Sequence, residues 1–454
     1  MKFFKLLKIL LGVYWVIAYG LVVADSHTIL ADNFVTNNKP DPEFDNYLSP
    51  NGPEISIDEL VLIQQKKERL KKGDTYTYVR CYYAKDSRST LNMDTTSPES
   101  SYVWAKQKGS YYKLAGYWYS SGLLAWKNMF YTDVKLSTIR QICNETVNQN
   151  TNANFSFDQY AADNRFSFNH TVWQNDDFES NDNRINKLIS FGDSLSDTNN
   201  MYNASQWKLP HNSSWFQGRF SNGRVWTEYL AQDLNLPLYN WAIGGAAGDT
   251  RYLLLSGLKQ EVQSWVEYME VAKNYNPNQS LFTILIGAND LVNYNRSVSD
   301  ITQDLRSSLN LLAGHGAQNI LLLNLPDVSV APVFYMGKTI PNIQQQVKQY
   351  NKNILEIVSE LQQNFPQINI QVFDTYQMFN DALVDYSSYG ITNIFDPCLD
   401  INKDRSLDYI LSYNPRISCK NGGEFMFWDG MHITTKIHRI LANKILESID
   451  ASNY

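Results

Sequence analysis

The chain has 454 residues and a formal net charge of −7, with 39 Lys and Arg against 46 Asp and Glu. Hydrophobic residues make up 43% of the sequence and charged residues 19%, which excludes wholesale disorder and provides the apolar side chains for two or three domains. A chain that is mildly acidic overall argues against nucleic-acid binding, which requires an excess of clustered Lys and Arg.

The first 24 residues predict a secretory signal peptide. Three lysines precede an apolar run over residues 9–23, and Ala24 supplies a small residue at a cleavage site. A membrane anchor is the alternative, but it needs about 20 apolar residues and this run is shorter. We therefore expect a soluble, secreted protein that begins with a flexible polar leader over 25–52.

A small mixed β-domain is predicted over 53–143. Ser56 and Glu59 form a capping box at the start of a helix, and Gly73 can end that helix. Short runs rich in Tyr, Trp and Val follow, such as TYTYVRCYY and GSYYKLAGYWY, and they predict strands. The segment STIRQICNETV predicts a helix that closes the domain. Residues 144–184, rich in Asn, Asp and Ser, are interpreted as a polar linker.

Residues 185–454 predict an α/β domain. Short apolar runs alternate with longer stretches of helical spacing, notably Ile301–Leu312 and Ile343–Leu361. The runs are KLISF, LYNWA, LFTILIG, NILLLNL and INIQVF. Strands that alternate with helices indicate a parallel sheet flanked by helices, and in such sheets the functional loops follow the carboxyl ends of the strands.

The four cysteines favour disulfides, because an exported protein folds in an oxidising compartment. Four cysteines allow three connectivities. We predict that Cys81 pairs with Cys143 and that Cys398 pairs with Cys419, since each pair lies within one predicted unit. Zinc sites need tighter spacing such as Cys-x-x-Cys, which this sequence lacks.

Residues with acyl-transfer chemistry follow three of the predicted strands and precede the last helix. Ser194 stands in Gly-Asp-Ser directly after the first strand of the α/β domain, Gly245 follows the second strand and Asn289 follows the third. Asp429 and His432 are three residues apart before the final helix. Each residue alone has an ordinary structural explanation, such as a turn or a helix cap. All of them in this order predict a nucleophile with its base and oxyanion donors.

These blocks resemble those of the GDSL or SGNH hydrolases, whose sequences carry Ser, Gly, Asn and His in this order. The segments FGDSLSDTNN, NASQWKLPHNSSWF, NWAIGGAAG, DPCLDIN and FWDGMHITT look like one branch, the thermolabile, lecithin-dependent haemolysins of marine bacteria. CYYAKDS, KNMFYTD and TIRQIC resemble the amino-terminal domain of the same proteins. The resemblance extends from about Tyr76 to Leu446. It implies an SGNH-hydrolase-like parallel sheet flanked by helices and preceded by a small mixed β-rich domain.

The resemblance also implies a role for each residue. Ser194 corresponds to the nucleophile, and its backbone N–H joins Gly245 and Asn289 as donors of an oxyanion hole. His432 corresponds to the general base. Asp429 corresponds to the acid of the Asp-x-x-His block, which orients the base and does not react.

The function that the resemblance implies is that of a secreted phospholipase A and lysophospholipase, haemolytic and cytotoxic, with a phospholipid membrane surface as its substrate. Two alternatives stay open: a glycerophospholipid:cholesterol acyltransferase, in which cholesterol replaces water, and a membrane-binding cytotoxin in which the amino-terminal domain dominates. The mechanism needs no metal or organic cofactor, and we expect none. Ile433 stands where the haemolysins usually have Pro, a departure that removes no chemical group.

Overall fold

The fold is taken from a computed structural model, and it is described here for eleven segments of the chain. These are residues 75–84, 100–119, 129–151, 155–162, 169–170, 172–174, 185–205, 208–251, 255–272, 275–402 and 406–449. The predicted signal peptide over 1–24, the leader over 25–52 and the helix predicted to begin at Ser56 lie outside the described residues.

A seven-stranded sheet forms the amino-terminal part. The strands in this region are β1 (Thr75–Ala84), β2 (Ser100–Trp104), β3 (Lys106–Gln107), β4 (Ser110–Tyr111), β5 (Leu114–Tyr119), β6 (Met129–Thr132), β7 (Phe155–Ala162), β8 (Asn169–His170) and β9 (Val172–Gln174). The sheet has the order β8-β7-β1-β5-β6-β9, with β2 also paired to β1, while β3 and β4 form a separate hairpin. β1 is antiparallel to all three of its partners, and β9 is parallel to β6.

A helix packs against this sheet. Helix α1 (Leu136–Asn150) places Ile139, Ile142 and Val147 in a small core with apolar residues of the sheet, and this confirms the helix predicted from STIRQICNETV. Cys143 on α1 is bonded to Cys81 on β1, as predicted. The disulfide therefore joins the helix to the central strand of a domain whose core is small.

The structure differs from the predicted linker over 144–184. Helix α1 continues to Asn150, and the strands β7, β8 and β9 follow within this range. β7 pairs with β1 over most of its length, so it lies inside the first sheet. The prediction was wrong because Asn, Asp and Ser disfavour strands locally, whereas pairing with a distant strand outweighs that preference here. We therefore place the end of the amino-terminal domain after β9.

A parallel sheet forms the second part, and its strands coincide with the five predicted apolar runs. They are β10 (Lys187–Gly192), β11 (Leu238–Asn240), β12 (Ser280–Leu285), β13 (Asn319–Leu323) and β14 (Asn369–Phe373). Their order is β11-β10-β12-β13-β14, and every neighbouring pair is parallel. All residues of β10 and β12 are buried, as expected for strands covered by helices on both faces.

The helices of this part are α2 (Asn200–Ala204), α3 (Trp226–Asp233), α4 (Leu258–Val271), α5 (Ala288–Val292), α6 (Val298–Gly314), α7 (Pro332–Tyr335), α8 (Ile343–Asn364), α9 (Thr375–Val384) and α10 (Thr435–Ser448). Helices α6 and α8 contain the two stretches predicted from helical spacing. Single 3-10 turns occur at Phe216–Gly218, Pro277–Gln279, Val328–Val330, Tyr386–Tyr389, Ser406–Ile410 and Gly422–Glu424. Within the described segments, no helix combines the length and apolar character needed to cross a membrane.

Two short strands precede α10. β15 (Asn393–Pro397) and β16 (Phe425–Phe427) pair in parallel. The disulfide between Cys398 and Cys419 follows β15 directly and lies in a buried cluster with Trp215 and Trp428. This second disulfide was also predicted. It braces the chain beside the segment that leads into the last helix.

The strand order places a topological switch point beside β10 in the parallel sheet. β11 lies on one side of β10 and β12 lies on the other. The connection from β10 to β11 therefore runs toward one edge of the sheet, and the connection from β11 to β12 runs back past β10 toward the other. Open parallel sheets bind their ligands at such a switch point, outside the carboxyl ends of the strands. The loops after β10, β11 and β12 all meet there.

Tyr202 on α2 connects the two parts of the chain. It is buried, and it lies close enough to Tyr82, Tyr102 and Arg80 of the first sheet for their charges to act on its pKa, which burial raises well above its usual value. The Arg80 guanidinium in turn lies over the ring of Tyr102, 4.9 Å from its centroid. The first domain thus contacts α2, the helix that follows the Gly-Asp-Ser loop.

Candidate active site

Ser194 lies at the carboxyl end of β10, in the turn that the sequence predicts. Gly192 makes this turn possible, because its φ is +143° and a Cβ atom there would lie 2.3 Å from the carbonyl oxygen of Leu285. The Gly192 N–H donates to the buried carboxyl of Glu261 over 2.8 Å. Ser194 itself is 8% exposed, so the turn presents its hydroxyl at the edge of the buried sheet.

His432 reaches Ser194 from the opposite end of the chain. It lies in the loop between β16 and α10, and its Nε2 atom is 2.8 Å from Ser194 Oγ. Its ring packs beside Phe220, with 4.9 Å between the ring centroids, and beside Tyr409, with 5.5 Å. These rings hold the imidazole in place, and hydrogen-bond contact with the hydroxyl is the geometry a general base needs.

Asp429 holds the other side of the imidazole. His432 Nδ1 is 2.8 Å from Asp429 Oδ1, and the Trp215 indole N–H donates to Asp429 Oδ2 over 2.8 Å. The Met431 N–H also donates to Oδ1, over 2.8 Å. Burial would raise the pKa of Asp429, but the charge of His432 and these hydrogen bonds outweigh burial and lower the pKa below its usual value. The carboxylate therefore stays ionised in a fully buried position.

The loop after β11 lies along the end of β10. The Ile243 N–H donates to the Gly192 carbonyl over 3.0 Å, and the Gly244 N–H donates to Asp197 over 2.7 Å. Gly245 follows with a φ of +80°, a left-handed conformation that favours glycine. Its carbonyl accepts from the Tyr294 hydroxyl over 2.7 Å. The predicted glycine is thus held beside the serine loop from two directions.

Asn289 lies in α5, just beyond β12, and its side chain meets the Gly245 loop. Its Nδ2 atom donates to the Ala246 carbonyl over 3.0 Å, and its Oδ1 atom accepts from Asn293 Nδ2 over 2.6 Å. An amide nitrogen carries two hydrogens, and one of them points to Ala246. The structure therefore brings the loops of Gly245 and Asn289 together at the edge where Ser194 lies.

Buried carboxyl groups lie beneath the Ser194 turn. Burial raises the pKa of Asp193 to about 7 and that of Asp197 to about 6, and it raises the pKa of Glu261 well above its usual value. Asp197 accepts from the backbone N–H groups of Asn199, Met201 and Gly244, so it fixes two loops of the site at once. Because these carboxyl groups accept hydrogen bonds from the turns, they can fix the backbone of the site and need not take part in a reaction.

Sequence reasoning did not identify Trp215, Tyr409 or Phe220 as parts of the site. Trp215 lies within the segment NASQWKLPHNSSWF, and nothing in its own sequence surroundings marks it as a partner of a carboxylate 214 residues away. The Tyr409 hydroxyl lies 3.4 Å from His432 Nδ1. Among the described residues, no three His, Cys, Asp or Glu side chains are grouped in a way that could hold a metal ion.

Comparison with known proteins finds family matches for both parts of the chain. Residues 188–445 match the family model described as GDSL-like Lipase/Acylhydrolase, and residues 47–175 match the one described as Vibrio dual lipase/transferase, N-terminal domain. A thermolabile hemolysin of Vibrio parahaemolyticus is 43% identical over 400 residues, which cover 87% of this chain and 91% of that protein.

More distant relatives match a smaller share of the chain. A phosphatidylcholine-sterol acyltransferase of Aeromonas hydrophila is 25% identical over 312 residues, covering 59% of this chain and 91% of that protein. Among solved structures, a member of the lipolytic protein G-D-S-L family from Veillonella parvula matches with a TM-score of 0.33 and 15% identity, covering 57% of this chain and 96% of that one.

Proposed function

The chain belongs to the GDSL-like lipase/acylhydrolase family and is a serine esterase or lipase, and on that basis we propose that it is a phospholipase A and lysophospholipase. The substrates are acyl esters of glycerophospholipids such as phosphatidylcholine. The observation that carries the proposal is the continuous contact from Ser194 through His432 to Asp429, with 2.8 Å at each step. The name of one bacterial relative, a phosphatidylcholine-sterol acyltransferase, supports a phospholipid as the ester, and that of the other, a thermolabile hemolysin, supports action on cells.

The mechanism begins with Ser194. Its oxygen attacks the acyl carbonyl of the lipid while His432 Nε2 takes the hydroxyl proton, and ionised Asp429 stabilises the imidazolium. The ester bond then breaks, and His432 returns the proton to the departing alcohol of the lysolipid. Water repeats the sequence on the acyl-enzyme, which releases the fatty acid and restores the serine.

The oxyanion of the tetrahedral intermediate would lie among three donors. These are the backbone N–H groups of Ser194 and Gly245 and the Nδ2 group of Asn289. The second amide hydrogen of Asn289 is suited to this role, because the first is bonded to Ala246 and holds the group in place. A donor fixed in advance needs no reorganisation when charge develops.

We also propose that the protein is exported and acts at a phospholipid membrane surface. The two disulfides support this, since such bonds persist in oxidising compartments. Removal of the predicted signal peptide over 1–24 would leave a mature chain that begins at Asp25. The amino-terminal sequence of the protein recovered from culture medium tests this directly.

A second function has its own support. The acyl-enzyme can pass its acyl group to cholesterol in place of water, and both the Aeromonas hydrophila relative and the family model over 47–175 carry a transferase in their names. The transfer forms an ester bond to the sterol hydroxyl, whose proton goes to His432 and returns to Ser194. Hydrolysis and transfer share every residue named above, so the products distinguish them.

The experiment is mass-spectrometric analysis of products from phosphatidylcholine vesicles that contain cholesterol. We expect fatty acid and lysolipid from the wild type, none from Ser194→Ala, and products within a few-fold of wild type from Ser196→Ala, a control two residues away. Cholesteryl ester as the main product would assign acyl transfer. Lysis of red cells by Ser194→Ala would favour a cytotoxin dominated by the amino-terminal domain. Retention of more than a few per cent of turnover by that variant would exclude Ser194 as nucleophile.

A further inference from the structure

Two aromatic side chains project into solvent side by side. Tyr335, the last residue of α7, is 64% exposed, and Phe395 on β15 is 61% exposed. Their ring centroids are 6.2 Å apart and the rings are nearly perpendicular, at 80°. Single exposed apolar residues are ordinary on a protein surface, but a contacting aromatic pair is a candidate contact site. We call Tyr335 and Phe395 the aromatic pair.

Both residues lie on elements bonded to the loop that contains Asp429 and His432. The Val333 N–H in α7 donates to the Gly430 carbonyl over 2.9 Å. β15 pairs with β16, and just beyond the pairing the Leu399 N–H donates to the Trp428 carbonyl over 2.9 Å. The aromatic pair is therefore held at a fixed position relative to the site, through two independent connections.

Half-buried apolar side chains next to the site and next to the aromatic pair pack against the same buried cluster. Leu195 follows Ser194, Met431 precedes His432, and both pack against one cluster together with Phe334 and Ile394. Phe334 and Ile394 are the chain neighbours of the aromatic pair. One apolar cluster thus contacts the chain neighbours of Ser194 and His432 as well as those of the aromatic pair, and such side chains suit an acyl chain that remains in contact with its bilayer.

The charged residues nearest to the aromatic pair in sequence are consistent with binding of a quaternary ammonium group. Asp396, next to Phe395, is exposed. Lys338, the cation nearest in sequence to Tyr335, directs its ammonium to Asn293 Oδ1 over 3.1 Å. The chain as a whole has a formal charge of −7, which opposes binding to anionic lipid. Aromatic rings bind the choline ammonium through their faces, and an adjacent carboxylate adds attraction.

We propose that the aromatic pair docks the enzyme on a bilayer that displays choline headgroups, beside the site that cleaves the lipid. The proposal depends on the proposed phospholipase function and specifies which surface meets the membrane. Tyr335 and Phe395 enter the headgroup layer, where aromatic side chains are favoured. The lipid then reaches Ser194 along the surface of Leu195, Met431 and Phe334.

The test compares two double variants. Tyr335→Ser/Phe395→Ser removes the aromatic pair, and Leu355→Gln/Ile417→Ser removes two other exposed apolar residues, 58% and 96% exposed, as a matched control. Binding is measured by sedimentation with phosphatidylcholine vesicles in a Ser194→Ala background, so that no lipid is consumed. We expect binding of the first variant to fall by about tenfold or more, since two aromatic side chains no longer enter the lipid. The control should bind like its parent.

Activity is then measured on two substrates with Ser194 intact. The first variant should hydrolyse phosphatidylcholine vesicles about tenfold more slowly, in line with its weaker binding, and hydrolyse soluble p-nitrophenyl butyrate within about twofold of wild type. Loss on the soluble ester as well would indicate a disturbed fold. In that case Tyr335→Trp/Phe395→Trp decides, because it keeps two aromatic rings and should bind vesicles at least as well as wild type.

Other outcomes would overturn the proposal. Equal vesicle binding by the first variant and its control would exclude the aromatic pair as the docking surface. Equal binding of wild type to phosphatidylcholine and phosphatidylglycerol vesicles would contradict choline recognition. Dimerisation of wild type that the first variant abolishes, without a change in vesicle binding, would assign the surface to a second copy of the chain. By contrast, a wild type that binds these vesicles but hydrolyses none of their lipid would refute the proposed function and leave the docking surface standing.

Discussion

Asp429 keeps its negative charge at full burial because its neighbours donate several hydrogen bonds to it. The indole of Trp215, the Met431 N–H and the His432 ring all point at its two oxygens. In the proposed mechanism, an ionised carboxylate on Nδ1 fixes the tautomer that leaves Nε2 able to accept the Ser194 proton. Under the same proposal, Trp215 acts through Asp429 and is a positioning residue.

We predict that Asp429→Asn lowers kcat on a soluble ester by about 10²–10⁴-fold, less than the loss in Ser194→Ala. Trp215→Phe removes one hydrogen bond to the same carboxylate and should cost about tenfold. Steady-state kinetics with p-nitrophenyl butyrate measures both, and circular dichroism checks the fold. A loss in Asp429→Asn as large as in Ser194→Ala would contradict an orienting role.

A second prediction concerns Asp193, whose pKa burial raises to about 7. Between the ordinary pKa of an aspartate and pH 7, the folded protein holds a proton that the unfolded chain has released. The folded state binds more protons in this window, so this group lowers the free energy of unfolding as pH rises toward 7, with little further change above it. Asp193→Asn does not titrate and lacks this contribution.

Urea unfolding of both proteins at several pH values from 4 to 8 measures the difference. We expect the stability of Asp193→Asn relative to wild type to rise by about 1 kcal/mol or more from pH 4 to pH 7 and then to level off. A relative stability that stays constant, or falls over this range, would show that the carboxyl is ionised in the folded protein at pH 5.

At the scale of secondary-structure elements, much of the parallel sheet could be predicted from the sequence. β10, β12 and β13 are fully or almost fully buried. Strands buried on both faces consist of continuous apolar runs, so the sequence itself predicts them. The spacing of apolar residues in α8 likewise reflects its packing against the core. Ser194, Gly245 and Asn289 could be proposed as site residues because they follow the predicted strands β10, β11 and β12 respectively.

The elements that could not be predicted depend on distant partners. β7 lies in the predicted linker and pairs with β1, more than 70 residues away, so its own composition carries no signal of the pairing. The contact between Trp215 and Asp429 joins residues 214 apart, and the aromatic pair joins α7 to β15. Local sequence preferences do not predict such contacts, because the distant partner determines where each residue packs.

The turn after β10 allows a prediction about one element. Gly192→Ala places a Cβ atom 2.3 Å from the Leu285 carbonyl oxygen at a φ of +143°, and we expect a loss of stability of about 2–4 kcal/mol. Gly314→Ala at the end of α6 is the matched control, because no heavy atom lies within 4 Å of its new Cβ. Thermal unfolding should place the control at or slightly above wild type. Equal melting temperatures of Gly192→Ala and Gly314→Ala would contradict the steric argument.

At the scale of the whole molecule, the two disulfides stabilise different units. The Cys81–Cys143 bond closes a loop of 62 residues in the first domain, and the Cys398–Cys419 bond closes one of 21 beside β16. The entropy of loop closure suggests that replacing each pair by Ala costs roughly 4 and 3 kcal/mol respectively. Longer loops gain more from closure because the unfolded chain loses more freedom.

We predict that the two replacements differ in their effect on activity. Cys398→Ala/Cys419→Ala should lower the temperature at which hydrolysis of a soluble ester is lost, because Cys398 and Leu399 bond the strand that leads into Asp429. Cys81→Ala/Cys143→Ala should retain that activity while the first domain becomes sensitive to protease. Inactivation profiles and limited proteolysis measure these effects, and an identical inactivation temperature for both variants would contradict the assignment.

Ser194 and His432 are 238 residues apart, and under the proposed mechanism this separation governs when the enzyme can first act. Synthesis proceeds from the amino terminus, so a chain still emerging from the ribosome carries the proposed nucleophile before the proposed base has been made. We expect a product truncated before His432 to be inert for the same reason. Chain order would then delay lipid hydrolysis until the last helix has docked, without a separate inhibitor.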